Sequence, residues 1–297
     1  MSTVDFLNLL VSAFLLAGVY AAMSVGMTVI YGVMKIVNLA HAGFLMLGAY
    51  FVYVLFERFH LDPLIGVVLA FPAFYFFGIA IHWLLVRRIP RSDVPTTTSL
   101  LLLFGLWLVL QNLGYLIWGN ADRSILTSRT FSTIQVGPLI FPTVRLVVFG
   151  AAVVSLVALE VLLHRTWFGR SVRALMQNSE SGQLVGVNVE KTARVAFGVG
   201  VAFAGAAGGL LAMMYSFTPD FGGSFLLRAF VIIVLGGLES FGGVAIGALV
   251  LALVETFSIL VIPSGYQPAI SFSLLVLALV ILPGGVAGLW NRRHRLT

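Results

Sequence analysis

Few residues in this chain could do chemistry, so their positions carry the argument. The five histidines are His41, His60, His82, His164 and His294, and no two are three or four apart. No helix face therefore offers a pair of imidazole ligands. Cysteine is absent, which removes disulfides and thiolate metal sites, and no metal or cofactor is expected. No Gly-x-Ser-x-Gly elbow occurs. Lys35 and Lys191 are the only lysines, and neither closes a glycine-rich phosphate loop; the chain is no P-loop ATPase by itself. What is left is a scatter of polar residues in or beside apolar runs: Asn38, His41, Gln111, Asn112, Arg228, Glu239 and Glu255. Ionisable groups in such runs are costly and default to functional hypotheses. Snorkelling to an interface is the bland reading of Arg228 and Glu239. Glu255 lies deeper in its run and is open to two readings, an interhelical bond or a functional role.

The elements that hold these residues are membrane helices. Hydrophobic residues make up 60% of the 297 and charged residues only 9%, against about a quarter charged in a soluble domain. No charge occurs between Asp5 and Lys35, Asp93 and Asp122, Arg194 and Asp220, or Glu255 and Arg292. Each gap exceeds the roughly 20 residues that cross a bilayer core as a helix. Leu100–Leu110 is continuously apolar rather than alternating, so the spans are helices and not barrel strands. The expected spans are 7–33, 40–56, 64–86, 95–118, 143–163, 193–216, 225–238, 244–262 and 270–288. The fold class is all-α: one polytopic membrane domain over 1–297 with about eight to nine transmembrane helices. The N-terminus lacks a basic region, so the first apolar run reads as retained rather than as a signal peptide.

The net charge of +6 sets orientation rather than nucleic-acid binding. Arg87, Arg88 and Arg91 form one basic group, Arg165, Arg170, Arg173, Lys191 and Arg194 a second, and Arg292, Arg293 and Arg295 a third. All three fall on one side of nine spans, which the positive-inside rule makes cytoplasmic. The opposing 119–142 segment, with Asp122, Arg123 and Arg129, leaves the asymmetry imperfect. Two places depart from simple spans. The run 225–238 has the length of a re-entrant segment, and turning back there would invert the later topology. The stretch 35–48 is either a short cytoplasmic turn or a helix broken at membrane depth, which is tolerated only against protein or a watery cavity. Residues 164–192 form a basic connector. Within it, Val172, Leu175 and Met176 share one face of a short helix, with Gly186 as a turn. The functional reading of that helix is a docking element for a cytoplasmic partner; the bland one is a solvated loop.

Several blocks resemble the branched-chain amino-acid ATP-binding-cassette permeases, the H-type subunit in particular. They are Gly26–Met34 leading into Asn38-Leu39-Ala40-His41-Ala42-Gly43 and on to Tyr50, then Thr166–Arg170 through Gly186-Val187-Asn188, then Gly236–Gly243 followed by Gly247 and Glu255. The chain departs from that pattern at Ala42-Gly43, where the family often has Gly-Glu, and at Glu239, where it often has Gly. The resemblance implies an importer in a bacterial inner membrane with a second, related permease subunit, two cytoplasmic ATPases and a periplasmic substrate-binding protein. This subunit would itself catalyse nothing. Asn38, His41, Gly43 and Glu255 are the candidates for the substrate path, because a broken helix there would turn polar groups toward a cavity. Gly169, Arg170, Arg173, Glu180 and Gly186 are the candidates for ATPase coupling. The resemblance leaves the substrate open among branched-chain amino acids, other amino acids, urea and short amides. The main rival is a stand-alone secondary transporter with Glu255 as its ion relay.

Overall fold

The computed structural model describes residues 2–89, 95–282, 284–286 and 288. Arg91 and the basic tail Arg292, Arg293 and Arg295 lie outside the described residues. Helix α1 (Thr3–Met34) opens on a capping box: Ser2 N–H donates to Asp5 at 2.9 Å, and Asp5 N–H donates to the Ser2 hydroxyl at 3.1 Å. These bonds occupy amides that a helix start leaves open. At 32 residues it is about 48 Å long, well over the roughly 30 Å bilayer core. It stops at Lys35, whose φ of 56° is left-handed.

Then follow α2 (His41–Phe59), α3 (Pro63–Leu84), α4 (Pro95–Trp118), α5 (Thr143–Arg165), α6 (Trp167–Gln177), α7 (Ser179–Leu184), α8 (Val189–Ala212), α9 (Phe221–Gly236), α10 (Phe241–Ser258) and α11 (Gln267–Ile281). Among the described residues seven helices are long and apolar enough to cross a membrane, and α9 and α11 are shorter apolar helices. Nine apolar helices thus match the nine expected spans in order. The boundaries differ where a cap was not read. Asn188 caps α8 by accepting from Lys191 N–H at 2.9 Å, so the helix begins at Val189, and Lys191 and Arg194 ride on it rather than in a loop. Outside the helices, β1 (Thr133–Val136) pairs antiparallel with β2 (Leu139–Pro142) around Gly137, which takes φ +60°. This hairpin and an isolated antiparallel bridge between Arg123 and Phe217 are the β features among the described residues of an otherwise helical chain. The Asn8 carboxamide accepts from Ile140 N–H at 2.9 Å and so ties the hairpin to α1.

Helix α8 is the centre of the bundle, buried almost throughout, because its glycines and alanines admit neighbouring backbones. A Cβ on Gly26 would lie 2.5 Å from the Gly200 carbonyl, and one on Gly200 would lie 2.6 Å from the Gly26 carbonyl. A Cβ on Gly48 would strike the Gly205 carbonyl and one on Gly208 the Leu45 carbonyl. Helix α3 joins the same core where Gly78 faces Gly198 and Val201. In lipid, apolar burial gives no net drive, so dispersion across such close surfaces is what holds helices together.

Two crossings are only partly helical. His41 donates Nε2–H to the Met23 carbonyl at 2.8 Å, eleven residues before the end of α1, or roughly 16 Å of helical rise. The chain therefore leaves α1, returns through 35–40 without helical structure, and starts α2 at membrane depth; the short-turn alternative does not hold. Helix α9 also starts at depth: a Cβ on Gly222 would collide with the Ala42 carbonyl in the first turn of α2. Its far end meets the base of α1, since Glu239 pairs with Lys35 at 2.5 Å. The 16 residues of α9 and the segment 213–220 before them thus complete a crossing, and the run does not turn back. The two irregular legs sit against protein, as irregular backbone in a membrane must. Lys35, Arg87, Arg88, Arg165, Arg170, Arg173, Lys191 and Arg194 then share one end of the bundle, the basic end.

Replacing Gly48 or Gly208 by alanine should lower the melting temperature of the detergent-purified protein, by about 1–3 kcal/mol of overpacking. Gly150→Ala, where an added Cβ meets nothing within 4 Å, should leave it unchanged. Fluorescence-detected size exclusion after heating reads both.

Candidate functional site

Four helices converge on one carboxylate. Glu255, on α10, is 2% exposed. Its Oε1 accepts from Arg228 Nε of α9 at 2.8 Å and from the Ser271 hydroxyl of α11 at 2.6 Å. Its Oε2 accepts from the Tyr20 hydroxyl of α1 at 2.5 Å. Arg228 also donates Nη1–H to the Ser224 carbonyl at 3.2 Å, and its guanidinium lies 5.3 Å from the centre of the Phe225 ring. Tyr20 is near the middle of α1, so the node lies deep in the membrane. A lone charge there would be prohibitively costly, and the ion pair with its added donors is the arrangement that tolerates it.

The node forms the floor of a cavity of about 540 Å³, within the range of small-molecule sites. Leu9, Ser12, Leu16 and Tyr20 line one stripe of α1 from its far end down to the node. Phe221, Ser224, Phe225 and Arg228 do the same on α9, with Arg145 of α5 and Gln267 of α11 at the rim. The cavity therefore opens toward the end opposite the basic one.

The candidate residues named from sequence fall into separate places. Glu255 is in the cavity wall. Asn38 and His41 are fully buried in the broken stretch, and neither lines the cavity. Among the described residues both Asn38 amide atoms and His41 Nδ1 have no hydrogen-bond partner. Gly43 faces Leu110, and a Cβ there would come within 2.8 Å of it, so it makes the α2–α4 contact. Arg228, for which snorkelling was the bland reading, is instead drawn inward by Glu255. Glu239 does sit half-exposed at the basic end, paired with Lys35. Tyr20, Arg145 and Ser271 were not singled out by sequence; the spacing of Ser12, Leu16 and Tyr20 along one α1 face was the only available signal. Among the described residues no group of three or more His, Asp or Glu could hold a metal ion.

At the basic end Gly169, Arg173 and Leu163 form a tight junction. A Cβ on Gly169 would collide with the Leu163 carbonyl, and Arg173 Nη1 donates to that same oxygen. Thr166 caps α6 by accepting from Gly169 N–H at 3.1 Å, and its hydroxyl donates to the Leu162 carbonyl at 2.6 Å. Val172 and Leu175 are buried and Met176 reaches Gly32 of α1, the face expected from spacing. Arg170 and Glu180 remain exposed. Gly186 takes φ +85° at the turn into α8.

The bundle thus carries a cavity toward one end and a capped pair of short helices at the other. The family described as branched-chain amino acid transport system, permease component, matches residues 9–282. The chain belongs to that family. It is 26% identical to the high-affinity branched-chain amino acid transport system permease protein LivH of Escherichia coli K12, over 95% of this chain and 96% of that one. It is 27% identical to the corresponding permease protein BraD of Pseudomonas aeruginosa, over 95% and 96%. A probable branched-chain amino acid transport permease protein LivH of Methanocaldococcus jannaschii is 25% identical over 97% and 95%. No solved structure matches the chain. As a member of this permease family the chain is a multi-pass membrane protein whose relatives are transport subunits.

Glu255→Leu alone should leave Arg228 buried without its counter-charge and destabilise the protein by about 3–5 kcal/mol. Arg228→Leu together with Glu255→Leu should recover most of that loss. A double-mutant cycle of thermal stability in detergent measures it, and strict additivity of the two single effects would contradict the pairing.

Proposed function

We propose that this chain is the membrane-spanning permease subunit of an ATP-driven importer for branched-chain amino acids or a related small polar substrate, in a bacterial inner membrane. Its partners are a second, related permease subunit, two ATPases at the basic, cytoplasmic end, and a substrate-binding protein at the far end. The whole chain acts as one permease domain, with 164–192 as its coupling segment. The substrate class follows the names of the relatives, and the importer mechanism follows the family.

The observation that carries the reading is the shelf formed by α6 and α7. Three successive side-chain caps, Thr166, Asn178 and Asn188, define its corners. Gly169 and Arg173 fasten it to the end of α5, so a push on the shelf is delivered to a membrane helix rather than absorbed by a loop. Its outer surface presents Trp167, with Arg170 stacked 4.0 Å from the ring centre, and the exposed pair Leu184 and Val185. Large apolar side chains on a charged, aqueous face suit a protein partner. Gly169 and Arg173 hold the shelf in place, while Arg170 and Glu180 lie on the face that meets the ATPase; Gly186 lets the chain turn back into α8. In the substrate path, Glu255 sits at the cavity floor. Asn38, His41 and Gly43 act one step away, at the start of α2, where a shift of the half-helix would reach α9 through the Ala42–Gly222 contact. Glu255, the candidate relay of the rival secondary transporter, accepts from three donors here, and the family of the relatives favours the importer.

Co-purification from native membranes, followed by an ATPase assay, tests this. The wild type should recover a nucleotide-binding chain. Arg170→Glu with Glu180→Lys, and separately Leu184→Ser, should cut recovery and ATP hydrolysis by roughly tenfold or more, the scale of an interface hot spot, while the variants stay monodisperse. Failure of the wild type to recover any nucleotide-binding chain in mild detergent would overturn the importer reading.

A further inference from the structure

The cavity floor is neutralised and its rim is not. Three charged side chains line it, Arg145, Arg228 and Glu255, so it carries one excess positive charge. Glu255 spends its charge on the protein, with Arg228, Tyr20 and Ser271 all donating to it. Arg228 uses Nε on Glu255 and Nη1 on the Ser224 carbonyl; among the described residues its Nη2 has no partner. Arg145 makes no ion pair among the described residues, although it lies only partly exposed near the start of α5. The rest of the wall is mixed: Leu9, Leu16, Phe225 and Ile259 give it an apolar part, and serine, threonine and tyrosine hydroxyls with the Gln267 amide give it a polar part.

We infer that this cavity is a carboxylate-binding site of the permease itself, in which Arg145 and the free edge of the Arg228 guanidinium hold the carboxylate of a small acid while the apolar wall takes its aliphatic side chain. A guanidinium presents paired N–H groups that match a carboxylate, and in a partly dehydrated cavity the attraction exceeds its value in water. The Glu255 contact fixes the Arg228 plane, so its free edge is oriented before any ligand arrives. A divalent cation is disfavoured by the excess positive charge, and a ligand without an anionic group would leave Arg145 unanswered. The inference deepens the import reading by assigning recognition of one substrate group to this subunit, in addition to whatever a binding protein selects.

The test is equilibrium binding to the intact transporter, purified without its binding protein into phosphatidylcholine nanodiscs. The probe is labelled L-leucine, with isovalerate and leucinamide as competitors. Leucine should bind, isovalerate should compete, and leucinamide, which lacks the carboxylate, should compete at least tenfold less well. Arg145→Gln should weaken leucine and isovalerate tenfold or more and leave leucinamide unchanged, and Arg145→Lys should keep part of the affinity. Leucinamide competing as well as leucine, an Arg145→Gln variant that binds like wild type, or no leucine binding at millimolar concentration would each overturn the inference. If those results came from a complex with intact ATPase activity, the importer reading would stand without it. If no ATPase chain accompanied the permease, that reading would fall, and the same binding series on the permease alone would still decide the carboxylate site.

Discussion

Inside a bilayer only the chain itself can answer a buried carboxylate, and Glu255 meets that demand by drawing one donor from each of three other helices. Tyr20, Arg228 and Ser271 belong to segments that are far apart in sequence, so the node fixes the relative positions of α1, α9, α10 and α11 at one depth. Replacing such a set by well-packed apolar residues is often neutral or stabilising, since desolvation consumes much of what a buried pair returns. A polar node that is energetically near neutral yet specific in geometry is suited to a protein that must hold one arrangement and then release it. The node also shapes the floor of the cavity, so the same contact that positions the helices decides what a solute entering from the far end meets first.

The second constraint is the thinness of α8. Its glycines and alanines let α1 and α2 approach until a single added methyl would strike backbone at Gly26, Gly48, Gly200 and Gly208. Surfaces packed this closely are rigid, because lengthening any contact forfeits dispersion quickly. The helices α1, α2, α3 and α8 therefore behave as a block. Against it stand α9, α10 and α11, held partly by glycine contacts such as Gly236 with Gly243 and partly by the Glu255 node. The cavity lies between α1 and this second group, beside the extensive α1–α10 packing that joins the two.

Much of the architecture was legible in the sequence because the membrane imposes a length and a polarity that few residues can disguise. All nine apolar runs became helices, and the amphipathic face of α6 followed its spacing. Boundaries slipped where a side-chain cap rather than hydropathy ends a helix, as at Asn188. The hairpin at 133–142 was missed because the alternation of Thr133-Ile134-Gln135-Val136 before Gly137-Pro138 is only four residues long, too short to stand out beside the apolar runs. The site was less legible for a different reason. Asn38, His41 and Glu255 stand out as polar residues in apolar surroundings, but which of them meets a cavity depends on where helices cross. Arg228 shows the limit most clearly: from sequence it is a cation near a helix end, free to reach for water, and only the position of Glu255 on the next helix turns it inward.

The two half-helices connect these observations. Helix α2 begins against α1 at Met23, and α9 begins against α2 at Ala42, so the irregular legs 35–40 and 213–220 lie on opposite sides of a single contact. One leg runs toward the basic end, beside the Lys35–Glu239 pair; the other runs toward the far end, where Phe217 packs on Tyr50. Backbone without helical hydrogen bonds is the part of a membrane protein that can change shape without breaking a regular element. Under the proposed import reading, these legs and the α6–α7 shelf, which bears on α1 through Met176 at Gly32, are the elements that would link the basic end to Arg228 at the cavity floor. The buried Asn38 amide, without a hydrogen-bond partner among the described residues, lies in the first of these legs.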